Sequence, residues 1–341
     1  MAELTDSGVL LRMAYEGMQK AEIDADAVLA KVGLDASVLE NSDFRTPHDA
    51  QEWFWQAAEE VSGDEHIGLH LGEHIPIFKG QVLEYLFLSS PNFGEGIKRA
   101  LNYQRLLSDA SEGELVLTEK DAVLQDIFVS RRLHHYNECG VAGLIKFFRA
   151  VTNGAFEATK IAFPHSQHAE LSEYEKIFNC EVVFDQPTTA VHFDRSLLVL
   201  PSAHHEPELL RLHEQFASEQ VAKLEKQDLV VQVSRLIAEL LESGQANLEE
   251  IANRLEIKPR QLRTRLADAG TNFNQLVADY RCRLAKRLLG GTDESIDEIV
   301  YLTGFSEPST FYRAFKRWVG MTPIEYRRAK KEEEEREKAK A

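Results

Sequence analysis

The sequence IDEIVYLTGFSEPSTFYRAFKRWVG, residues 296–320, indicates how the C-terminal third of this chain folds. Apolar residues recur at helical spacing on both sides of Gly304, and Pro308 stands where a second helix can begin. Gly304 can adopt the positive φ that a tight turn needs. The pattern therefore predicts two short helices joined by a tight turn, the helix-turn-helix arrangement.

The same pattern occurs earlier, in LEEIANRLEIKPRQLRTRLADAG at residues 248–270. Ala252 aligns with Val300, and a small side chain here allows two helices to cross closely. With one extra residue in the second turn, the apolar positions of the second helices also align. The aligned pairs are Ile257 with Phe305, Leu262 with Phe311 and Leu266 with Phe315. A pattern that occurs twice indicates two helix-turn-helix units.

Between the copies, TNFNQLVADYRCRLAKRLLG (271–290) predicts a long amphipathic helix that carries basic residues. These residues are Arg281, Arg283, Lys286 and Arg287. Such a helix would act as a rigid spacer. Two units held by it can enter successive major grooves on one face of DNA, roughly 34 Å apart.

The second helix of each unit projects basic and hydroxyl side chains away from its apolar stripe. Arginine pairs bidentately with guanine edges, and hydroxyl groups reach bases or phosphates. One alternative for residues 304–327 is a solvated surface helix, which the second copy and the spacer disfavour. The other is a basic membrane-surface helix, which is disfavoured because each unit needs the apolar stripe for its own small core. The residues predicted to contact DNA are Arg260, Gln261, Arg263, Thr264, Ser309, Thr310, Tyr312 and Arg313, with Lys258, Lys316 and Arg317 placed for phosphates.

Residues 229–328 resemble the DNA-binding domain of the AraC/XylS family of bacterial transcription regulators. The resemblance rests on LEEIANRL, FNQLVADYRCRLAKRLL, SIDEI and TGFSEPSTFYRAFKRWVGMTPIEYR, and on their spacing. It departs from the family at Glu256, where glycine is usual, and at Thr264, where arginine is frequent. Val300 and Thr303 replace the usual alanine and leucine. These departures leave the contacts of the first copy open, but not the fold.

The front of the chain predicts a mixed α+β domain. Helical periodicity dominates residues 1–110, with Thr46-Pro47 as a plausible helix start and a break at Pro91, and short β-type runs follow from Gly113. The predicted divisions are an effector-sensing and dimerisation domain at 1–205, a helical linker at 206–228, the DNA-binding domain at 229–328 and a charged tail at 329–341. The fold class is an α+β domain followed by an all-α domain with two helix-turn-helix units.

The segments LAKVGLDASVLENSDFRTP, HIGLHLGE and GQVLEYLFLSSPNFGEGIKRALNYQRLLSD are similar to an arabinose-binding-type sensor domain. This second resemblance implies a transcription regulator, more often an activator, that responds to a small molecule. The expected partners are double-stranded promoter DNA, RNA polymerase, an unidentified effector and a second copy of the chain. The effector site is not predicted.

Other chemistry finds little support. Trp53, Phe54 and Trp55, with Phe147 and Phe148, could line an apolar pocket or simply form core. The spaced histidines, such as His66 and His70 or His165 and His168, favour surface or loop positions over a metal site. We expect no metal, no cofactor and no enzymatic activity. The open alternatives are a constitutive DNA-binding dimer and a regulator fused to an alkyl-transfer enzyme, which would need an activated cysteine.

Composition places the charge unevenly. Residues 229–341 contain 20 Lys and Arg against 18 Asp and Glu, a net charge of +2, whereas residues 1–228 carry −19. No apolar run approaches the roughly 18 residues that span a bilayer, and no secretory signal is evident. Three separated cysteines suit a reducing compartment. We therefore expect a cytoplasmic protein with no membrane partner.

The charge asymmetry makes a prediction about non-specific DNA binding. The acidic front should repel DNA in general, so the fragment 229–341 should bind random-sequence DNA more tightly than the whole chain at low salt. Fluorescence-anisotropy titrations of both proteins at two salt concentrations measure the difference. Superimposable titration curves would contradict the prediction.

Overall fold

The computed structural model describes residues 4–77, 81–127, 132–241 and 245–338. The chain forms two structural units, with the boundary between Val221 and Ala222. The first unit combines helices with two β-sheets. The second is helical throughout its described elements. This arrangement confirms the predicted fold class.

Some helices of the first unit pack against its larger sheet, and others form a helical group of their own. They are α1 (Gly8–Lys20), α2 (Ala25–Lys31), α3 (Ala50–Ser62), α4 (Ile67–Leu71), α5 (Val82–Ser89), α6 (Phe93–Asn102), α7 (His134–Val151) and α8 (Leu171–Phe178). Short 3-10 helices lie at Ala36–Glu40, Gln104–Leu106 and Arg195–Val199. The predicted break at Pro91 falls between α5 and α6, where Asn92 Oδ1 caps α6 by accepting from Glu95 N at 2.9 Å.

The larger sheet contains five strands. Its members are β3 (Glu114–Leu117), β4 (Asp121–Gln125), β5 (Ala158–Ala162), β6 (Glu181–Val183) and β7 (Ala190–Asp194), in the order β3-β4-β7-β5-β6, after a separate pair formed by β1 (Thr5–Ser7) and β2 (Arg45–Pro47). Neighbours pair antiparallel except β5 and β6, which are parallel and are joined through α8. Ala122 and Leu124 of β4 point to the main core, while Val123 between them joins a small cluster on the other face.

The interpretation of Thr46-Pro47 as a helix start was wrong. Both residues belong to β2, where Thr46 pairs with Asp6 of β1, and the helix begins only at Ala50. Asp6 is fully buried and accepts hydrogen bonds from Gln51 Nε2 at 2.8 Å and Ser108 Oγ at 2.6 Å. These long-range contacts decide the local conformation, and they are not visible in the residues around Pro47.

Two hydrophobic cores lie side by side in the first unit. One packs the five-stranded sheet against α6, α7 and α8, and the other packs α1, α2, α3 and α4 together. Helix α7 contributes to both, since Tyr136 and Cys139 belong to the helical core and Ile145 and Phe148 to the sheet core. Helix α4 also contributes to both, with Leu69 in the sheet core and Ile67 and Leu71 in the helical core, so the first unit is built from two lobes that share α4 and α7.

The second unit is a run of helices. It contains the end of α9 (Pro207–Leu240), which begins in the first unit, and then α10 (Leu248–Arg254), α11 (Pro259–Asp268), α12 (Phe273–Gly291), α13 (Ile296–Leu302), α14 (Pro308–Val319) and α15 (Pro323–Lys338). Helix α9 covers the segment predicted as a helical linker, 206–228, and continues beyond it.

In each helix-turn-helix, the turn between the two helices contains a residue with positive φ. Gly304 between α13 and α14 has φ +71°, and Glu256 between α10 and α11 has φ +55°. A Cβ on Gly304 would lie 3.1 Å from Leu241 Cγ and 3.2 Å from Arg281 Nη2. Glycine is therefore required at 304, whereas the first turn carries the strain of a glutamate in the left-handed region.

The turns predict opposite effects of two substitutions. Gly304→Ala should lower the free energy of unfolding by about 1–2 kcal/mol, because it adds both backbone strain and a close contact. Glu256→Gly should raise it by up to about 1 kcal/mol, since relief of strain exceeds the added freedom of the unfolded chain. Urea unfolding of the full chain measures both. The matched control is Lys286→Gly in α12, which should cost about 1 kcal/mol; a stabilised Gly304→Ala would refute the argument.

Candidate nucleic-acid interface and ligand cavity

The first helix-turn-helix unit is formed by α10 and α11. Ile251 and Ala252 are fully buried at the crossing of the two helices, as are Leu262 and Leu266 on the inner face of α11. Pro259 occupies the first turn of α11, where its missing N–H costs nothing. The inner faces of these helices pack against the end of α9 in one core. The outer face of α11 is exposed to solvent.

The second helix-turn-helix repeats this arrangement in α13 and α14. Ser295 Oγ accepts from Glu298 N at 3.1 Å and Glu298 Oε2 accepts from Ser295 N at 3.3 Å, a capping box that starts α13. Val300, Phe311 and Phe315 are fully buried. The burial of these residues confirms the predicted alignment of the two copies.

The residues predicted to contact DNA lie on the outer faces of α11 and α14 and just before α11. All are exposed except Tyr312, which is half-buried and packs against the core of the second helix-turn-helix. The exposed ones are Lys258, Arg260, Gln261, Arg263, Thr264, Ser309, Thr310, Arg313, Lys316 and Arg317. The structure thus gathers them into one set on each recognition helix.

Three of these side chains also bond to their own helix. Gln261 Oε1 accepts from Lys258 N at 3.1 Å, Thr264 Oγ1 donates to Arg260 O at 3.1 Å, and Arg313 Nε donates to Ser309 O at 3.3 Å. The bond of Gln261 caps the start of α11. These bonds restrain the side chains near the exposed face of the helix, so less conformational entropy is lost when they meet a ligand.

Helix α12 belongs to both helix-turn-helix cores. Leu276, near its start, packs in the core of α10 and α11, while Ala285 and Leu289 pack in the core of α13 and α14. Leu276 and Leu289 are thirteen residues apart, which is about 20 Å along a helix axis. The predicted spacer is therefore a structural member of both units.

Arg281, one of the basic residues of the spacer helix, is not fully exposed. It is half-buried, its Nη2 donates to Gly304 O at 2.8 Å, and its Cζ lies 4.6 Å from the ring centroid of Phe305. Burial lowers its pKa from the ordinary value. Arg281 thus links α12 to the turn of the second helix-turn-helix. Helical periodicity alone could not identify this long-range contact.

A cavity of about 580 Å³ lies between the two cores of the first unit. Phe54 and Trp55 line it from the helical core, and Phe148 and Phe147 line it from α7 and the sheet core. These are four of the five aromatic residues that the sequence left open between pocket and core. The fifth, Trp53, is 72% exposed.

The spaced histidines meet in the first unit but do not form a metal site. The ring centroid of His134 lies 3.9 Å from the ring centroid of His135 and 3.9 Å from that of His168. Burial lowers the pKa of His134 to about 3 and that of His165 to about 4, so both are neutral at physiological pH. Across residues 4–77, 81–127, 132–241 and 245–338, no group of three or more His, Cys, Asp or Glu is arranged to hold a metal ion.

The Arg281 contact predicts a specific loss of stability. Arg281→Met should lower the free energy of unfolding by about 1–2 kcal/mol, because it removes the hydrogen bond to Gly304 and the cation–π contact with Phe305. Arg283→Met, an exposed position on the same helix, should change it by less than about 0.5 kcal/mol. Thermal and urea unfolding compare the two variants. Equal stability would show that Arg281 contributes nothing beyond a surface arginine.

Comparison with known proteins agrees with this architecture. Residues 23–202 match the family described as the arabinose-binding domain of AraC transcription regulator, N-term, and residues 234–329 match the family described as a helix-turn-helix domain. The chain is 31% identical over 279 residues to the ornithine utilization regulator of Pseudomonas aeruginosa, which covers 80% of this chain and 81% of that protein.

Two further similarities are to regulators. The chain is 30% identical over 190 residues to the HTH-type transcriptional regulator VirS of Mycobacterium tuberculosis, 56% of each protein. Its structure is similar to that of the transcriptional regulator CdpR from Pseudomonas aeruginosa, at 22% identity and a TM-score of 0.40, over 83% of this chain and 93% of that one. In the described part of the chain, no helix is both long and apolar enough to cross a membrane. The family matches and the long relative confirm the predicted resemblance: the chain belongs to the AraC family of helix-turn-helix DNA-binding transcription regulators.

Proposed function

We propose that this regulator binds promoter DNA with α11 and α14 in successive major grooves, and that a small molecule in the cavity of the first unit changes this binding. The observation that carries the proposal is the sharing of α12 by both helix-turn-helix cores. A helix packed into two cores restricts how far the two recognition helices can move relative to each other. Simultaneous contact with two grooves requires such a constraint.

The roles within the interface follow from side-chain chemistry. Arg260, Arg263 and Arg313 are the proposed base contacts, because a guanidinium can pair with both acceptors of guanine. The hydroxyl groups of Thr264, Ser309, Thr310 and Tyr312 and the amide of Gln261 are proposed to bond bases or phosphates. Lys258, Lys316 and Arg317 are proposed phosphate contacts, which position the protein without selecting sequence.

The proposed effect of the ligand rests on helix α5. Leu83 of α5 lines the cavity, and Leu83 and Leu86 also pack with Leu210 and Ala217 of α9. Helix α9 ends in the core of the first helix-turn-helix unit, to which Leu240 belongs. A ligand that shifts α5 would therefore bias the conformation of α9, and so the population of chains able to engage both grooves.

Two polar contacts support the same connection. Arg99 Nε of α6 donates to Glu214 Oε1 of α9 at 2.8 Å, and the rings of Tyr85 and His213 stack with their centroids 5.3 Å apart. These contacts, together with the apolar cluster, hold α5 and α6 to the first half of α9. We propose that movement of this pair of helices carries the response.

The remaining partners are proposed on family membership. They are RNA polymerase, with activation as the sign of regulation, and a second copy of the chain. Because the DNA partner is the bacterial chromosome, we propose a cytoplasmic location. The relatives named above are transcription regulators, which disfavours an enzymatic role.

The cysteines give the alkyl-transfer alternative no support. A nucleophilic cysteine needs a lowered thiol pKa. Burial instead raises the pKa of Cys139 to about 12 and that of Cys180 to about 11, and it also raises the pKa of Cys282. All three thiols are therefore protonated at neutral pH.

The proposed interface predicts two distinguishable losses. Arg313→Ala should weaken binding to the cognate site by about 1–3 kcal/mol and relax base preference at the contacted position. Lys316→Ala should weaken binding to all sequences similarly and reduce the salt dependence by about one counterion. Glu249→Ala, on the exposed face of α10, is the control.

Genome-wide mapping of bound sites, followed by titration on the recovered site and on a scrambled duplex, tests these losses. An Arg313→Ala protein with the parent's footprint and affinity would show that α14 does not enter the major groove as proposed.

A further inference from the structure

We infer that the cavity of the first unit takes a neutral, predominantly apolar molecule with at most one hydroxyl or carbonyl group. This inference rests on the proposed function, in which the cavity is the effector site. It goes further, because it specifies the chemical class of the effector.

The cavity is lined mainly by aliphatic and aromatic side chains from both lobes. Leu11, Phe54 and Ile75 face it from the helical core, and Phe87, Ile97 and Leu124 face it from the sheet core. A ligand in contact with both sets would complete the packing between the two lobes. Burial of apolar ligand surface supplies the binding energy, at roughly 25 cal/mol per Å².

The charged residues that line the cavity in the described part of the chain are Arg45 and Glu84. Arg45 is already engaged: its Nε donates to Thr5 Oγ1 at 2.7 Å, its Nη2 donates to Thr5 O at 2.8 Å, and it pairs with Asp109 Oδ2 at 3.3 Å. Burial would raise the pKa of Asp109, but hydrogen bonds from Thr5 and Arg105 and the charge of Arg45 hold it below its ordinary value. The arginine is thus neutralised within the protein.

Glu84 is engaged as well. Its Oε2 accepts from Gln81 N at 2.9 Å, which caps the first turn of α5. Using this carboxylate for a ligand cation would remove the cap of the helix that lines the cavity. Neither charge is therefore placed to receive a charged ligand without breaking a bond that holds the fold.

The uncharged polar side chains of the lining include Thr46, Gln51, Gln81, Gln104, Ser108, Ser111 and Tyr136, and several of them are bonded within the protein. Gln104 Oε1 accepts from Gly113 N at 2.7 Å and from Ser111 Oγ at 2.8 Å, and its Nε2 donates to Gly113 O. Gln51 Nε2 donates to Asp6. These bonds use much of the polar capacity of the lining. Trp55 lines the cavity, and its indole Nε1 is buried with no hydrogen-bond partner among the described residues, so it can donate to one ligand hydroxyl or carbonyl. The several hydroxyls of a sugar or the two charges of an amino acid would lack enough partners, at a high cost.

The test uses the full chain and ligands that differ only in their polar end. N-phenyl-1-naphthylamine, a neutral apolar dye, is the probe, and its fluorescence reports occupation of the cavity. Decanol, decanoate and decylamine, each below its aggregation threshold, are the competitors, with ornithine and arabinose as polar ones. Decanol should displace the dye at least about tenfold more effectively than either charged analogue. Ornithine and arabinose should not displace it.

Cavity variants assign the site. Ala100→Trp and, independently, Leu144→Trp should fill the cavity and weaken dye binding, because both residues line it. Ala30→Trp, at an exposed position of α2, should leave dye binding unchanged. Circular dichroism confirms that each variant is folded. Unaltered dye binding in both folded cavity variants would overturn the assignment of the site.

The outcomes separate this inference from the proposed function. Displacement by decanoate, decylamine or ornithine as strong as that by decanol, or no binding of dye and decanol, would overturn the ligand class. Promoter affinity is then measured with and without saturating decanol. Selective binding of decanol that leaves promoter affinity unchanged would sustain the ligand class and overturn the effector role, leaving a constitutive DNA-binding protein.

Discussion

The DNA-binding half of this regulator depends on one helix that is buried at both of its ends. Helix α12 places Leu276 in the first helix-turn-helix core and Ala285 and Leu289 in the second. Because a packed helix does not bend freely, each core restricts the placement of the other. Either unit alone offers a few exposed contacts, and a constrained pair can engage two grooves with one loss of translational and rotational freedom. In the proposed mode of DNA binding, the stiffness of α12 is thus as important as the side chains that would contact DNA.

The turn of the second helix-turn-helix is better stabilised than the turn of the first. Gly304 fits its turn without strain, and Arg281 ties this turn to α12 through the carbonyl of Gly304 and the ring of Phe305. In the first unit Glu256 occupies the equivalent turn at positive φ, which costs about 1 kcal/mol or more. The two copies therefore share a fold but differ in the backbone strain of their turns. The copy with the strained turn is packed against the end of α9, the helix that begins in the sensor unit.

The sensor unit has the opposite design. Its two lobes share α4 and α7, yet a cavity lined by apolar residues of both lobes lies between their cores. A cavity of this size leaves packing energy unrealised, and a ligand that fills it gains that energy. Helix α5 lines the cavity and also packs against α9, and we propose that ligand binding acts through this contact. In this proposal the binding energy comes from apolar contact, because Arg45 and Glu84 are engaged within the protein.

Local patterns in the sequence were sufficient for the helices of the DNA-binding half, the alignment of its two copies and the family, and the residues that they predicted to contact DNA are exposed except Tyr312. Each of these depends on short-range periodicity, proline and glycine positions, or motif spacing. The tertiary structure alone decided that Thr46 and Pro47 form a strand, that Arg281 packs on Phe305, and that four aromatic residues border a cavity. Those outcomes depend on partners up to about a hundred residues away in the chain, such as Ser108 for Asp6. Periodicity shows that a side chain is apolar or faces inward, but only the fold determines whether another side chain or a cavity stands opposite it.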